Sequence, residues 1–68
     1  MIGYVVKDMD GEVLLFTNKP RKNNIRGWWE STSFKASASL DEKALPSGIN
    51  PSWDDEIPIK VRIELNRL

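Results

Sequence analysis

Residues 57–65 alternate aliphatic and polar side chains without interruption: Ile57, Ile59, Val61, Ile63 and Leu65 share one parity, and Pro58, Lys60, Arg62 and Glu64 the other. Successive side chains of an extended chain point to opposite faces, so a period of two predicts a half-buried strand. One strand cannot bury its own apolar face. The rest of the chain must therefore supply the sheet that covers it, and this pattern commits the molecule to β architecture.

A hairpin is expected over residues 4–16, where Asp10-Gly11 separates two apolar runs. Two registers are open. A two-residue loop sets Val6 opposite Leu15. A three-residue loop with Gly11 in the left-handed bulge position sets Tyr4 opposite Phe16 and Val6 opposite Leu14. The second is preferred because it pairs an aromatic with an aromatic and an aliphatic with an aliphatic on one face. Its drawback is Asp8 opposite Glu12. Val5, Val13 and Leu15 then occupy the other face, so each side of the hairpin needs a cover.

Residues 17–24 read as a loop, since Pro20 lacks a backbone donor and Asn23-Asn24 tolerate left-handed geometry. Strand character resumes over residues 25–33, where the adjacent Trp28 and Trp29 must point to opposite faces if the backbone is extended. One enters the core, and the other lies under a covering segment or at the surface. Residues 34–37 suggest a short fourth strand. Ser39-Leu40-Asp41-Glu42 has the form of a capping box opening a helical turn that Pro46 and Gly48 end early. Residues 47–55 form a connection, pinned to the sheet by Trp53. Pro58 belongs on an edge or at a strand start.

At 68 residues the chain has room for one small domain, and a chain of this size buries only about 60% of its unfolded surface. It has no Cys and no His, so packing or self-association must replace disulfides and metal. Three Trp, one Tyr and two Phe are the main resource, and most of them are expected inside. The fold expected is mostly β (α+β): a small antiparallel sheet of four or five strands, a meander with the last strand returning to the first hairpin or a small open barrel, with one short helical turn.

Absence of Cys and of a basic leader ahead of an apolar run makes the cytoplasm the expected location. No apolar run approaches the roughly 20 residues of a membrane-spanning helix, so no membrane association is expected. Ten Lys plus Arg balance ten Asp plus Glu, which leaves no global field toward nucleic acid or anionic lipid.

Catalysis without His or Cys would need carboxylates flanking a cleft, which so small a sheet rarely offers, so no enzyme activity is expected. Asp54, Asp55 and Glu56 read as a solvated acidic loop. Asp8, Asp10 and Gly11 fail the calcium-loop pattern, because its first ligand position falls on Val6 and its twelfth on Thr17; a hairpin turn accounts for them. No metal or cofactor is expected. The candidate binding residues are Lys19, Arg21, Lys22 and Arg26, a cluster without an acid in its loop (19–26), with Trp28 and Trp29 beside it. Bases stack on aromatic faces while cations follow phosphates, so this set fits single-stranded nucleic acid. On that view, reversing the charge of Lys22 and Arg26 abolishes binding without unfolding.

Leu15-Phe16-Thr17-Asn18-Lys19-Pro20, the Trp28-Trp29 pair and Trp53-Asp54-Asp55-Glu56-Ile57-Pro58 give the chain an order that resembles short uncharacterised proteins of bacteriophage and mobile-element regions of gut bacteria. Those have an apolar hairpin ending in Lys-Pro, a central Trp, and a Trp-acid segment before the last strand. Here Ile57 intervenes between Glu56 and Pro58. The resemblance implies a small accessory protein and carries no activity or site residues. From the two-sided apolar hairpin and a last strand that could lie at an edge, the leading expectation is a non-enzymatic module that binds an unidentified partner protein or a second copy of itself, through that edge or an aromatic anchor. The charges of Lys60, Arg62 and Glu64 argue partly against open-edge pairing. Single-stranded nucleic-acid binding through loop 19–26 and an exposed Trp is the alternative.

Overall fold

The computed structural model describes residues 1–32 and 37–64. Its first two strands, β1 (Ile2–Lys7) and β2 (Val13–Phe16), form the expected hairpin in the preferred register, with Tyr4 opposite Phe16 and Val6 opposite Leu14. Gly11 adopts φ 94°, a left-handed conformation that only glycine takes without strain. Its amide donates to the Asp8 carbonyl at 3.0 Å, and the Asp8 amide donates to the Glu12 carbonyl at 2.9 Å. The Asp10 carboxylate accepts the Glu12 amide at 2.9 Å, as short acidic side chains do in turns.

A second hairpin follows, made of β3 (Arg21–Asn23) and β4 (Trp28–Glu30). Residues 17–24 are therefore not one continuous loop, as expected from their composition, because the middle of the segment pairs with the Trp strand. Asn23 builds the turn. Its side-chain oxygen accepts the amides of Ile25 and Arg26 at 3.1 and 3.0 Å, and its carbonyl accepts the Gly27 amide at 2.9 Å. Gly27 has φ 80°. Of the strand expected over 25–33, the described residues form β4 alone, since Ile25 and Arg26 are spent in this turn and residue 33 lies outside them.

Strand β5 (Ala38–Leu40) pairs with β2, and β6 (Ile59–Arg62) pairs with β1, which gives an open antiparallel sheet ordered β5-β2-β1-β6 beside the two-stranded β3-β4 sheet. The last strand does return to the first hairpin. The second hairpin interrupts the chain between β2 and β5, so the path is not a simple meander. The described residues hold six strands. The strand expected over 34–37 lies mostly outside them, as does Leu65. Among the described residues there is no α-helix; the helical turn is a 3-10 turn, Glu42–Ala44.

Asp41, rather than Ser39, caps that turn, accepting the Lys43 amide at 3.0 Å. Ser39 is held in β5 opposite Leu14, and its hydroxyl donates to Glu12 Oε1 at 2.7 Å. Sheet pairing claims the serine before it can cap. Strand β6 starts two residues later than the alternation suggests. Pro58 has no amide to give the ladder, and Ile57 is 70% exposed.

Both faces of the first hairpin are covered. Val6 and Phe16 pack against Trp29 of β4, with Tyr4, Leu14 and Trp53 around them. On the other face Val5 and Val13 are buried, and the chain from Leu40 to Ile49 lies over Val5, Leu15, Val61 and Ile63 around a shallow groove of about 250 Å³. Lys7 ties the 3-10 turn to this face through an ion pair to Glu42 at 2.7 Å. Gly3 lets the cover close: a Cβ there would lie 2.5 Å from Ile63 Cδ1 and 2.9 Å from Leu15 Cδ1. Of the described aromatics, Phe16 and Trp29 are buried, Tyr4 and Trp53 half-buried and Trp28 exposed; Phe34 lies outside the described residues.

Candidate binding surface on the second hairpin

The six candidate residues separate into a structural group and a surface group. Lys22 belongs to the first. From β3 its ammonium reaches the opposite loop, where it donates to the Trp53 carbonyl and, at 3.0 Å, to the Asp55 carbonyl. It also lies over the rings of Trp53 and Trp29, 4.4 and 5.8 Å from their centroids. A lysine head has three donors; two here hold the connection 47–55 against the core. Trp53 does pin that connection, with Lys22 as the rivet. Asp55 tightens the same turn by accepting the Ser52 amide at 3.0 Å. Charge reversal at Lys22 would remove this joint and is expected to weaken the fold.

Trp29 is the other structural member. Its side chain is 4% exposed, and its backbone amide donates to Asp8 Oδ1 at 2.8 Å. This bond locks the second hairpin to the first. Burial pushes the Asp8 carboxyl above its ordinary value; the Trp29 amide pulls it back in part, while Asp10 and Glu12 push it further up. Trp29 Nε1 has no hydrogen-bond partner among the described residues.

Trp28, its neighbour on β4, points outward and is 42% exposed. Its indole N–H donates to Glu30 Oε1 at 2.9 Å, and the Arg26 guanidinium lies over its ring at 5.5 Å. Glu30 organises this surface. It also accepts the Asn23 side-chain amide at 3.0 Å and faces Arg21 across the hairpin at 3.8 Å. These donors, Asn23 first and Trp28 next, hold its carboxyl below the ordinary value, and Arg21 and Arg26 add to the effect. Arg21 is thereby partnered.

Next to Trp28 the two hairpin turns meet. The Met9 amide donates to the Gly27 carbonyl at 2.9 Å, and a concavity of about 290 Å³ is lined by Asp8, Met9, Asp10, Arg26, Gly27 and Trp28. Met9 is 60% and Ile25 97% exposed. The result is an apolar tip of Met9 and Trp28 carrying Arg26, while Ile25 lines a separate concavity with Arg21, Asn23 and Glu30. Met9 and Ile25 were not among the candidates. Each sits in a turn, where an apolar residue has no periodicity to mark it; the mark available was an aliphatic or thioether side chain between turn formers.

Lys19 stands apart, exposed, beside a separate concavity formed with Tyr4, Ile57, Pro58 and Lys60. The four basic residues therefore do not form one patch. Asp8, Asp10 and Glu12 bring carboxylate oxygens within 4.8 Å of one another, but each is already an acceptor, for the Trp29 amide, the Glu12 amide and the Ser39 hydroxyl. Among the described residues no helix is long and apolar enough to cross a membrane. No protein-family model matches the chain, and no curated protein or solved structure matches it at a significant level.

Proposed function

We propose that the protein is a non-enzymatic binding module that works through protein–protein contact, with the Trp28 tip as its anchor. The observation that supports this reading is the held, exposed Trp28: its N–H is fixed by Glu30 and one face by Arg26. Trp and Arg are the residue types that most often dominate binding energy at interfaces, and a side chain already ordered loses less entropy on binding. Met9 extends the apolar area, and Met adapts to irregular surfaces. The acids Asp10 and Glu12 lie at the first hairpin's turn beside the tip, which favours a partner with apolar residues flanked by both charge signs.

The test compares proteins captured by the wild type and by Trp28→Ala at equal folded concentration. A partner retained by the first and lost by the second supports the reading. Identical capture by both removes it. Single-stranded nucleic acid is the second reading, and the Arg26–Trp28 stack is the observation that favours it. It predicts saturable quenching of tryptophan emission by an oligonucleotide, fading as salt rises. The engagement of Lys22 with two carbonyls makes this the weaker reading.

A further inference from the structure

Strand β6 is an outer strand of the four-stranded sheet among the described residues. The Ile63 amide donates to the Met1 carbonyl at 2.7 Å, and the register continues Gly3 with Val61 and Val5 with Ile59. In an antiparallel ladder alternate pairs carry the hydrogen bonds. Residues 59, 61 and 63 thus face β1, and the backbone N–H and C=O groups of Lys60, Arg62 and Glu64 point outward. The side chains of these three are exposed on one face of the strand, while Ile59, Val61 and Ile63 are half-buried on the other.

We propose that this edge pairs with the same edge of a second copy, antiparallel about a two-fold axis at Arg62. Only outward-facing residues can bond across the edge, so the register moves in steps of two. Centring on Arg62 sets Lys60 opposite Glu64 of the second copy, twice by symmetry, and Val61 opposite Ile63 on the apolar face. One step toward the N-terminus is worse on two grounds: Lys60 meets Arg62, and Glu64 meets Pro58, which has no amide to donate. One step toward the C-terminus pairs Arg62 with Glu64 twice and puts the axis at Ile63, so cysteine cross-linking at 62 against 63 tells the two registers apart.

Charge complementarity therefore selects a second copy as the occupant. The like pair Arg62–Arg62 at the axis is flanked diagonally by both Glu64 and Lys60 of the other copy, so the favourable charge pairing comes from Lys60 opposite Glu64. The contact is isologous and closes on itself. It joins two four-stranded sheets into one of eight and sets the two apolar grooves, lined by Leu15, Val61, Ile63 and Leu45, on one continuous face. This surface is separate from the Trp28 tip, so it gives the protein–protein reading a second, independent contact and two tips per assembly.

The test is sedimentation equilibrium of the full chain. Wild type is expected to dimerise. Lys60→Glu and Glu64→Lys each turn two attractive pairs into repulsive ones and weaken the dimer roughly tenfold, and the double swap restores it. The chain has no cysteine, so Arg62→Cys adds a single thiol. It should cross-link to its own copy on oxidation, because bonded partners stand about 5.5 Å apart at Cα, within disulfide reach, whereas Ile63→Cys should not. A monomer at every concentration, a dimer indifferent to the charge swaps, or cross-linking of Ile63→Cys in place of Arg62→Cys overturns the proposal. Each outcome leaves capture through Trp28 to be judged separately.

Discussion

The Lys22 ammonium lies 4.4 Å from the centre of the Trp53 ring and is bonded to the Trp53 carbonyl, so one cation grips both the side chain and the backbone of the same residue. With the Asp55 carbonyl it anchors a connection that has no strand of its own. Lys22→Ala removes the charge-assisted bonds and the ring contact together, and should cost about 2 kcal/mol in urea unfolding. Lys22→Arg should recover only part of this, because a planar fork cannot place its donors as a compact ammonium does. An alanine variant as stable as wild type would show that the joint contributes nothing.

Trp28 and Trp29 are adjacent yet should behave oppositely. Trp29→Ala empties the centre of the Val6–Phe16 cluster, a loss of about 3–5 kcal/mol, large enough to unfold a domain of this size. Trp28→Ala removes a surface ring and its bond to Glu30, and should cost less than about 1 kcal/mol. Thermal melts followed by circular dichroism separate the two. The fluorescence of Trp28→Ala should also shift to the blue, since the most exposed Trp is gone.

The first hairpin was legible because its signals agree: Asp10-Gly11 marks the turn, and the Tyr4–Phe16 and Val6–Leu14 pairs select one register. The last strand was legible from its alternation, except that Ile57 and Pro58 fall outside β6. Strand β3 was not. Arg21, Lys22 and Asn23 carry no apolar side chain, so no periodicity can show, and what holds them is pairing with Trp29 and the long reach of Lys22. For the same reason the basic cluster looked like a single patch: sequence proximity does not reveal that Lys22 turns inward while Arg26 turns to Trp28. Ser39 and Asp41 are both capping residues, and only the pairing of β5 with β2 decides between them.

The two turn glycines of the tip differ in what surrounds them. Gly11 has φ 94° with open space where a Cβ would go, so Gly11→Ala should lose only the left-handed penalty, about 1 kcal/mol. At Gly27 a Cβ would also sit 3.2 Å from Met9 Cβ and 3.3 Å from its sulfur, and the Gly27 carbonyl holds the Met9 amide. Gly27→Ala should therefore cost more than Gly11→Ala, by roughly 1 kcal/mol. Equal losses in urea unfolding would mean that the contact between the two turns is not tight.

Asp8 gives the fold a pH dependence of unusual sign for a carboxylate. The folded protein holds its proton more tightly than the unfolded chain, so its contribution to stability is complete below the ordinary value of 3.8 and is lost as pH rises through the raised folded value. Glu30 runs the other way: its contribution is present above the ordinary 4.5 and lost as pH falls through the lowered folded value. Asp8→Asn keeps an oxygen to accept the Trp29 amide without the buried charge. It should be at least as stable as wild type near pH 7, with the difference shrinking as pH falls through the raised folded value and gone below the ordinary 3.8. Asp8→Ala leaves the Trp29 amide buried without its acceptor and should lose about 1–3 kcal/mol at acid pH, and less near pH 7, where the wild type carries the buried charge. If urea unfolding near pH 7 finds Asp8→Asn much weaker than wild type, the ionised bond to Trp29 outweighs the burial of the charge, and the upward shift assigned to Asp8 is wrong.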